Sequence, residues 1–197
     1  MVSGQDIYFS GHFLVAETDQ SDQNFQQSVV LLVKHDERGA FGLVINNKTE
    51  IQLGDAAGTA IPEALAKFPL YIGGPVEREF LFVLHSGFKG GNRSPDAMEL
   101  APGIVFEPSF ALVSELYHEA LKQQEEPEVR IHFFSGYSGW SSGQLEQELK
   151  ANAWIVIPAS ADMVFQTAPD TNWIEGLKRK GGVHWVFAKT GYKPSMN

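Results

Sequence analysis

The segment Ser28-Val-Val-Leu-Leu-Val-Lys34 constrains this chain more than any other. Successive side chains of a strand point to opposite faces, so an unbroken β-branched and apolar run reads as a strand covered on both of them. Asp36-Glu-Arg-Gly39 follows as a turn, with glycine free to take the positive φ that closes a tight hairpin, and Ala40 to Asn46 returns as a second strand. The surrounding chain is long enough to supply that cover. At 197 residues, 43% of them hydrophobic, it has the length of one domain and is expected to bury about 70% of its unfolded surface.

Further strands are read at Gly11–Ala16, at Leu70-Tyr-Ile72 ending in the Gly73-Gly74-Pro75 turn, and at Phe80–His85, Gly103–Phe106, Val129–Phe134 and Ala153–Ile157, with Val183–Ala188 as a last one. Glu17 to Gln27 is a polar loop anchored by Phe25, and Gly87 to Leu100 is a loop rich in Gly, Asn, Ser and Pro. Helices are expected at Pro62–Lys67, Ser109–Gln124, Ser142–Asn152, Asp162–Phe165 and Asn172–Lys180. The second of these carries Leu112, Val113, Leu116, Tyr117, Ala120 and Leu121 as one apolar stripe, ended by Glu125-Glu-Pro-Glu128. Strands dominate the first half and alternate with helices in the second. That order predicts an α+β fold with a mixed sheet over a regular βαβ wind. No linker or internal repeat interrupts it, so residues 1–197 read as a single domain with 1–10 and 190–197 as loosely held ends.

The charge is −9, from 15 Lys plus Arg against 24 Asp plus Glu, which argues against binding along a phosphate backbone. With no cysteine, thiol nucleophiles, iron–sulfur sites, Cys-ligated zinc and disulfides are excluded. The first ten residues carry neither Lys nor Arg nor an apolar core, unlike a secretory signal, and no stretch approaches ~20 consecutive apolar residues. A cytoplasmic protein outside the membrane is the expectation.

Gly139-Trp-Ser-Ser-Gly143 fits G-x-S-x-G between a strand and a helix, the context of a nucleophile elbow, and Asp162 or Asp170 and His184 follow in Ser…Asp…His order. A hydrolase using Ser141, or His85, is therefore one reading. Against it, Gly136-Tyr-Ser138 displaces the serine from the strand end. Ser141-Ser-Gly-Gln144 also reads as a capping box, which accounts for both polar residues without catalysis.

His12, His35, His85, His118, His132 and His184 form no metal spacing, and no cofactor is implied. His35 and His85 end apolar strands, where a neutral imidazole caps a backbone carbonyl. Gly73-Gly74-Pro75 reads as a turn more than an anion nest, and Lys178-Arg-Lys180 as cations at a helix C-terminus. Trp154, Trp173 and Trp185 are core candidates, whereas Trp140, set in a Gly/Ser-rich loop, is expected in an exposed cleft.

In order along the chain, Gly11–Ala16, Asn24–Val29, His35, Gly39–Asn46, Gly73–Val76, Leu84-His85, Gly136-Tyr-Ser-Gly-Trp140, Gly143–Glu146 and Trp154 resemble the family known as AlgH or YqgE, also called UPF0301 and DUF179. The resemblance runs from about Gly11 to about Lys180. It implies a bacterial cytoplasmic protein whose sheet is coiled and largely antiparallel, with flanking helices. No established activity, cofactor or catalytic residue comes with it, although some members are labelled transcriptional regulators. The expected function is thus a regulatory or interaction protein with an unknown protein or small-molecule partner. Its groove would lie near the Gly-Tyr-Ser-Gly-Trp loop, with Asn46, His85, Tyr137, Trp140 and Gln144 as candidate binding residues. Direct nucleic-acid binding would conflict with the charge.

Overall fold

The computed structural model describes residues 8–57, 61–122 and 128–192. Its centre is the predicted hairpin, β2 (Val29–Asp36) and β3 (Gly39–Val44). Every residue from Val29 to Val33 is at most 1% exposed, so the continuous apolar run is covered on both faces as its sequence demanded. The two-residue turn pairs Asp36 with Gly39, and the Asp36 carboxylate accepts the Arg38 amide at 2.9 Å. β1 (His12–Ala16) pairs with the far side of β2, and β10 (Trp154–Pro158) with β1.

On its other side β3 meets β9 (Ile131–Ser141), the longest strand. The remaining strands are β4 (Lys48–Gln52), β5 (Pro69–Ile72), β6 (Val76–His85), β7 (Met98–Ala101) and β8 (Ile104–Glu107). The sheet runs β10-β1-β2-β3-β9-β6-β8-β7, with β4 and β5 branching from β9. Only the β5–β9 pair is parallel. This is the mixed, largely antiparallel and curled sheet of an α+β fold.

The helices are α1 (Leu53–Ala57), α2 (Glu63–Ala66), α3 (Phe110–Lys122), α4 (Gln144–Lys150), α5 (Ala161–Phe165), α6 (Pro169–Lys180) and α7 (Gly182–Thr190). They cover two apolar clusters. The larger joins β1, β2, β3 and β10 to Leu145, Met163, Val164, Trp173 and Leu177 of α4–α6. The smaller packs Leu53, Leu65 and Val113 of α1–α3 on Leu70, Val83, Ile131 and Phe133. α6 lies directly on β1: a Cβ on Gly176 would sit 2.7 Å from a Val15 methyl, and the Trp173 indole donates to the Ala16 carbonyl at 2.7 Å.

Several elements differ from expectation: β4 and α1 were not predicted, and β6 begins at Val76 and α6 at Pro169. Strand β9 does not stop at Phe134 but continues through the Gly/Ser-rich motif to Ser141. Gly136, at φ 68°, bends the strand from its β5 and β6 partners onto β3 without ending it. Val183–Ala188, expected as a strand, lies inside α7, where Phe187 packs edge-on against Trp173 at 6.0 Å. A short apolar run has no period that separates helix from strand, and here the surface of α6 decided. The end of the predicted 87–100 loop forms β7.

The expected end of the 109–124 helix and most of its 125–128 break lie outside the described residues, as do 1–7 and 193–197 of the predicted loose ends. Phe9 and Ser10 are tied to β2, since the Phe9 amide donates to His35 Nδ1 and the Ser10 hydroxyl accepts the His35 amide.

Backbones cross most closely beside Gly136. A Cβ on Gly74 would lie 2.2 Å from the Tyr137 carbonyl, and one on Gly136 would lie 2.7 Å from the Val76 oxygen. Gly74→Ala is expected to cost about 3 kcal/mol or more, read as a lower urea midpoint with unchanged slope. A second expectation concerns His132 of β9. It stacks on Tyr71 at 4.6 Å and touches Phe165, and burial, with Lys48 adding to it, pushes its pKa from 6.5 down to about 4. Between those values the unfolded chain binds a proton that the folded protein refuses. Stability is therefore complete above about pH 6.5 and falls as the pH drops towards 4, by at most about 3 kcal/mol. His132→Phe should flatten that slope in urea titrations at pH 7 and pH 4.5.

Candidate binding groove

The motif Gly136-Tyr-Ser-Gly-Trp140 divides its five residues between fold and surface. Ser138 is fully buried, and its hydroxyl donates to the Gly73 carbonyl at 3.1 Å. Tyr137 is half-buried, 4.8 Å from Phe41 and 5.9 Å from Phe82 between ring centroids. Gly139 is exposed, opposite Phe41 in the register, and a Cβ there would press 3.1 Å from the Tyr137 ring. Its missing side chain leaves an open groove of about 590 Å³ lined by Ala40, Phe41, Val76, Glu77, Phe82, Tyr137, Gly139 and Trp140.

Trp140 forms part of this wall yet is only 5% exposed, so the expectation of a solvent-exposed tryptophan is corrected. Its indole stacks on Phe25 at 6.0 Å and donates to Glu148 Oε2 at 2.9 Å. Trp154 donates to the same oxygen at 2.7 Å, and Gln144 Nε2 to the other at 3.0 Å. One carboxylate on α4 thus satisfies two buried indoles and a side-chain amide. Sequence reasoning missed Glu148, although buried tryptophans require acceptors for their N–H groups and the helix between them carries one.

Gln144 sits at the first position of α4, exposed. The predicted capping box forms by half. Gln144 Oε1 accepts the Ser141 amide at 3.1 Å, but the Ser141 hydroxyl also donates to that oxygen and caps no helix amide, the N-cap being Gly143 at φ 75°. Extending β9 to Ser141 moved the helix start by two residues, out of reach of the hydroxyl.

Asn46 and His85 lie outside the groove lining. Asn46 clamps backbone: its Oδ1 accepts the Val29 amide at 2.8 Å and its Nδ2 donates to the Gln27 carbonyl at 2.9 Å. His85, 1% exposed, accepts the Gly87 amide at Nδ1, and His35 accepts that of Phe9. Both imidazoles therefore cap amides, not the predicted carbonyls, and carry their proton on Nε2. His35 directs it at Glu146 Oε1, 3.0 Å away, whereas His85 Nε2 is buried without a partner. Burial lowers the His85 pKa, partly offset by Glu107. Glu107 itself is held by Ser94 and by the Ser109 amide. Of the five predicted residues, only Tyr137 and Trp140 meet in the groove.

These arrangements position aromatic surface and do not activate a nucleophile. Ser141 shares its hydrogen bond with an amide oxygen, and His184 pairs with Glu17 at 2.7 Å. Among the described residues no three His, Asp or Glu side chains converge as a metal site, and no helix is long and apolar enough to cross a membrane. The Gly73 amide is spent on the Ser135 carbonyl, so Gly73-Gly74 is a backbone crossing, not an anion nest. In the basic run, Arg179 is bound by Asp162 and Glu175 and Lys178 lies 3.6 Å from Glu175. Trp185, expected in the core, is half exposed.

Fold and groove together define a curled-sheet α+β protein with an open aromatic depression where three strands converge. The sequence profile of the AlgH-like family, DUF179, matches residues 13–185, and the chain belongs to that family. It is 33% identical to a UPF0301 protein of Chlorobium phaeobacteroides over 95% of both chains, and 35% identical to one of Thioalkalivibrio sulfidiphilus over 88% of this chain and 90% of that one. The solution structure of AlgH from Pseudomonas aeruginosa superposes with a TM-score of 0.69 at 30% identity, covering 99% of this chain and all of that one. A Corynebacterium diphtheriae protein shares the fold at 21% identity and a TM-score of 0.72, covering 93% of each chain.

The two groove aromatics should separate by stability. Trp140→Ala removes a buried ring and one of the three hydrogen bonds to the Glu148 carboxylate, costing about 3–5 kcal/mol. Tyr137→Ala, at a half-exposed position, should cost about 1–2 kcal/mol. Thermal and urea unfolding of both variants measures the difference.

Proposed function

We infer that this protein acts by recognition, not by bond-making chemistry, and that the groove between β3, β6 and β9 is its contact surface. It is a bacterial interaction protein of the cytoplasm, and any regulatory role is exercised through a protein partner, not through DNA. The observation that carries this reading is the groove itself: half-buried Phe41, Phe82 and Tyr137 converge on an exposed glycine, presenting apolar ring surface to solvent. Soluble domains leave such surface open chiefly where something binds. The charge supports an indirect role, since the net −9 repels phosphate and Lys178 and Arg179 of the basic run are paired with Glu175 and Asp162.

The test compares partners recovered by chemical cross-linking and affinity capture with wild-type protein and with Tyr137→Ala. At least one specific partner should be lost while the variant stays folded. An unchanged partner set with a folded variant overturns the reading.

A further inference from the structure

Resting on the groove as the contact surface, we propose that its occupant is an extended segment of a partner polypeptide bearing a lysine or arginine, whose cationic head lies over the aromatic rings against Glu77. Glu77 is the only charged residue lining the groove, and no hydrogen bond or ion pair engages it among the described residues. It stands at φ 48°, in the irregular stretch where the β6–β9 register shifts between Val76 and Leu81. Glycine would take that conformation without strain, so a carboxylate is held over the groove at a steric cost.

The rings behind it suit a cation. Phe41, Phe82 and Tyr137 lie within 4.8–5.9 Å of one another, centroid to centroid. Their negative faces attract an ammonium or guanidinium group, while the aliphatic stem of lysine or arginine covers apolar surface. An acidic occupant would meet Glu77 as a like charge, and a purely apolar one would desolvate the carboxylate without pairing it. The net charge of −9 steers in the same direction.

The backbone selects an extended peptide over a small ammonium ion. The register of β9 with β6 ends at Tyr137–Val76, so Gly139 has β3 on one side and no paired strand on the other among the described residues. Asp36 and Gly39 close the hairpin towards β2, and the Ser141 amide turns away from β3 to Gln144. Antiparallel alternation then directs the Gly139 N–H and C=O to the same open side, where an extended segment can pair with them.

The experiment is an NMR titration of the full chain with capped pentapeptides Gly-Val-X-Val-Gly, where X is lysine, arginine, norleucine or glutamate, and with tetramethylammonium alone. Lysine and arginine peptides should shift the Tyr137 and Phe82 ring signals and the Gly139 amide saturably, at least about fivefold more tightly than norleucine. Glu77→Gln keeps the backbone position and the fold. It should bring the cationic peptides to the norleucine level and leave norleucine unchanged.

Equal affinity for norleucine, or no response of groove signals to the cationic peptides, overturns the proposal. So does binding of tetramethylammonium as tight as that of the lysine peptide, which would make the ligand a small cation. None of these results touches the groove reading, which stands or falls on partner capture by the Tyr137→Ala variant.

Discussion

The contact on which the structure depends is the crossing of two glycine-bearing backbones, Gly73-Gly74 against Gly136 to Ser138. Van der Waals contact between main chains is attainable only without Cβ atoms, and here a Cβ at any of the three glycines would fall within 2.8 Å of another residue's backbone atoms. The approach puts the Gly73 carbonyl within reach of both the Val44 amide and the Ser138 hydroxyl, and the Gly73 amide on the Ser135 carbonyl. Four strands are thereby locked at one point. β9 can then pair with β5 and β6 along its first half and with β3 along its second, joining the two apolar clusters through one strand.

The groove follows from that bend. Once Gly136 swings β9 onto β3, the pairing with β6 ends at Val76, and the sheet opens over Gly139. Tyr137 and Phe41 face the opening because they lie beside the bend on paired strands. On the neighbouring side, Glu148 of α4 fixes Trp140 and Trp154 through both indole N–H groups, so the wall of the groove is rigid where its rim is open. Groove lining and structural lock are built from the same pentapeptide, and its residues alternate between the two.

Much of this was legible because local signals agreed with their tertiary setting. The apolar run of β2, the Asp36–Gly39 turn and the helix α3 read correctly, since their periodic patterns are distinct. Of the α3 stripe, however, only Val113 is fully buried, and Leu121 is exposed. Phe25 was rightly read as the anchor of its loop, and it packs on both Trp140 and Trp154. The Gly/Ser-rich stretch 136–141 was illegible as strand, because composition marks glycine as a loop residue and cannot tell a turn from a close crossing. Likewise Asn46 and His85 were read as candidate binding residues, whereas Asn46 holds the backbone of Val29 and Gln27 and His85 accepts the amide of Gly87, two residues on.

The sequence by itself determined the α+β class, the central hairpin, the absence of thiol chemistry and the acidic surface, because these depend on residue type and short-range period. Its motifs also sufficed to suggest the family. Only the tertiary structure decided that Gly-Tyr-Ser-Gly-Trp is strand and not loop, that Ser141 serves neither a helix cap nor a base, and that Tyr137 stands with Phe41, Phe82 and Glu77. Those facts depend on which backbones approach one another across 60 or more residues of chain, as Ser138 does Gly73 at a separation of 65. No local pattern encodes that proximity.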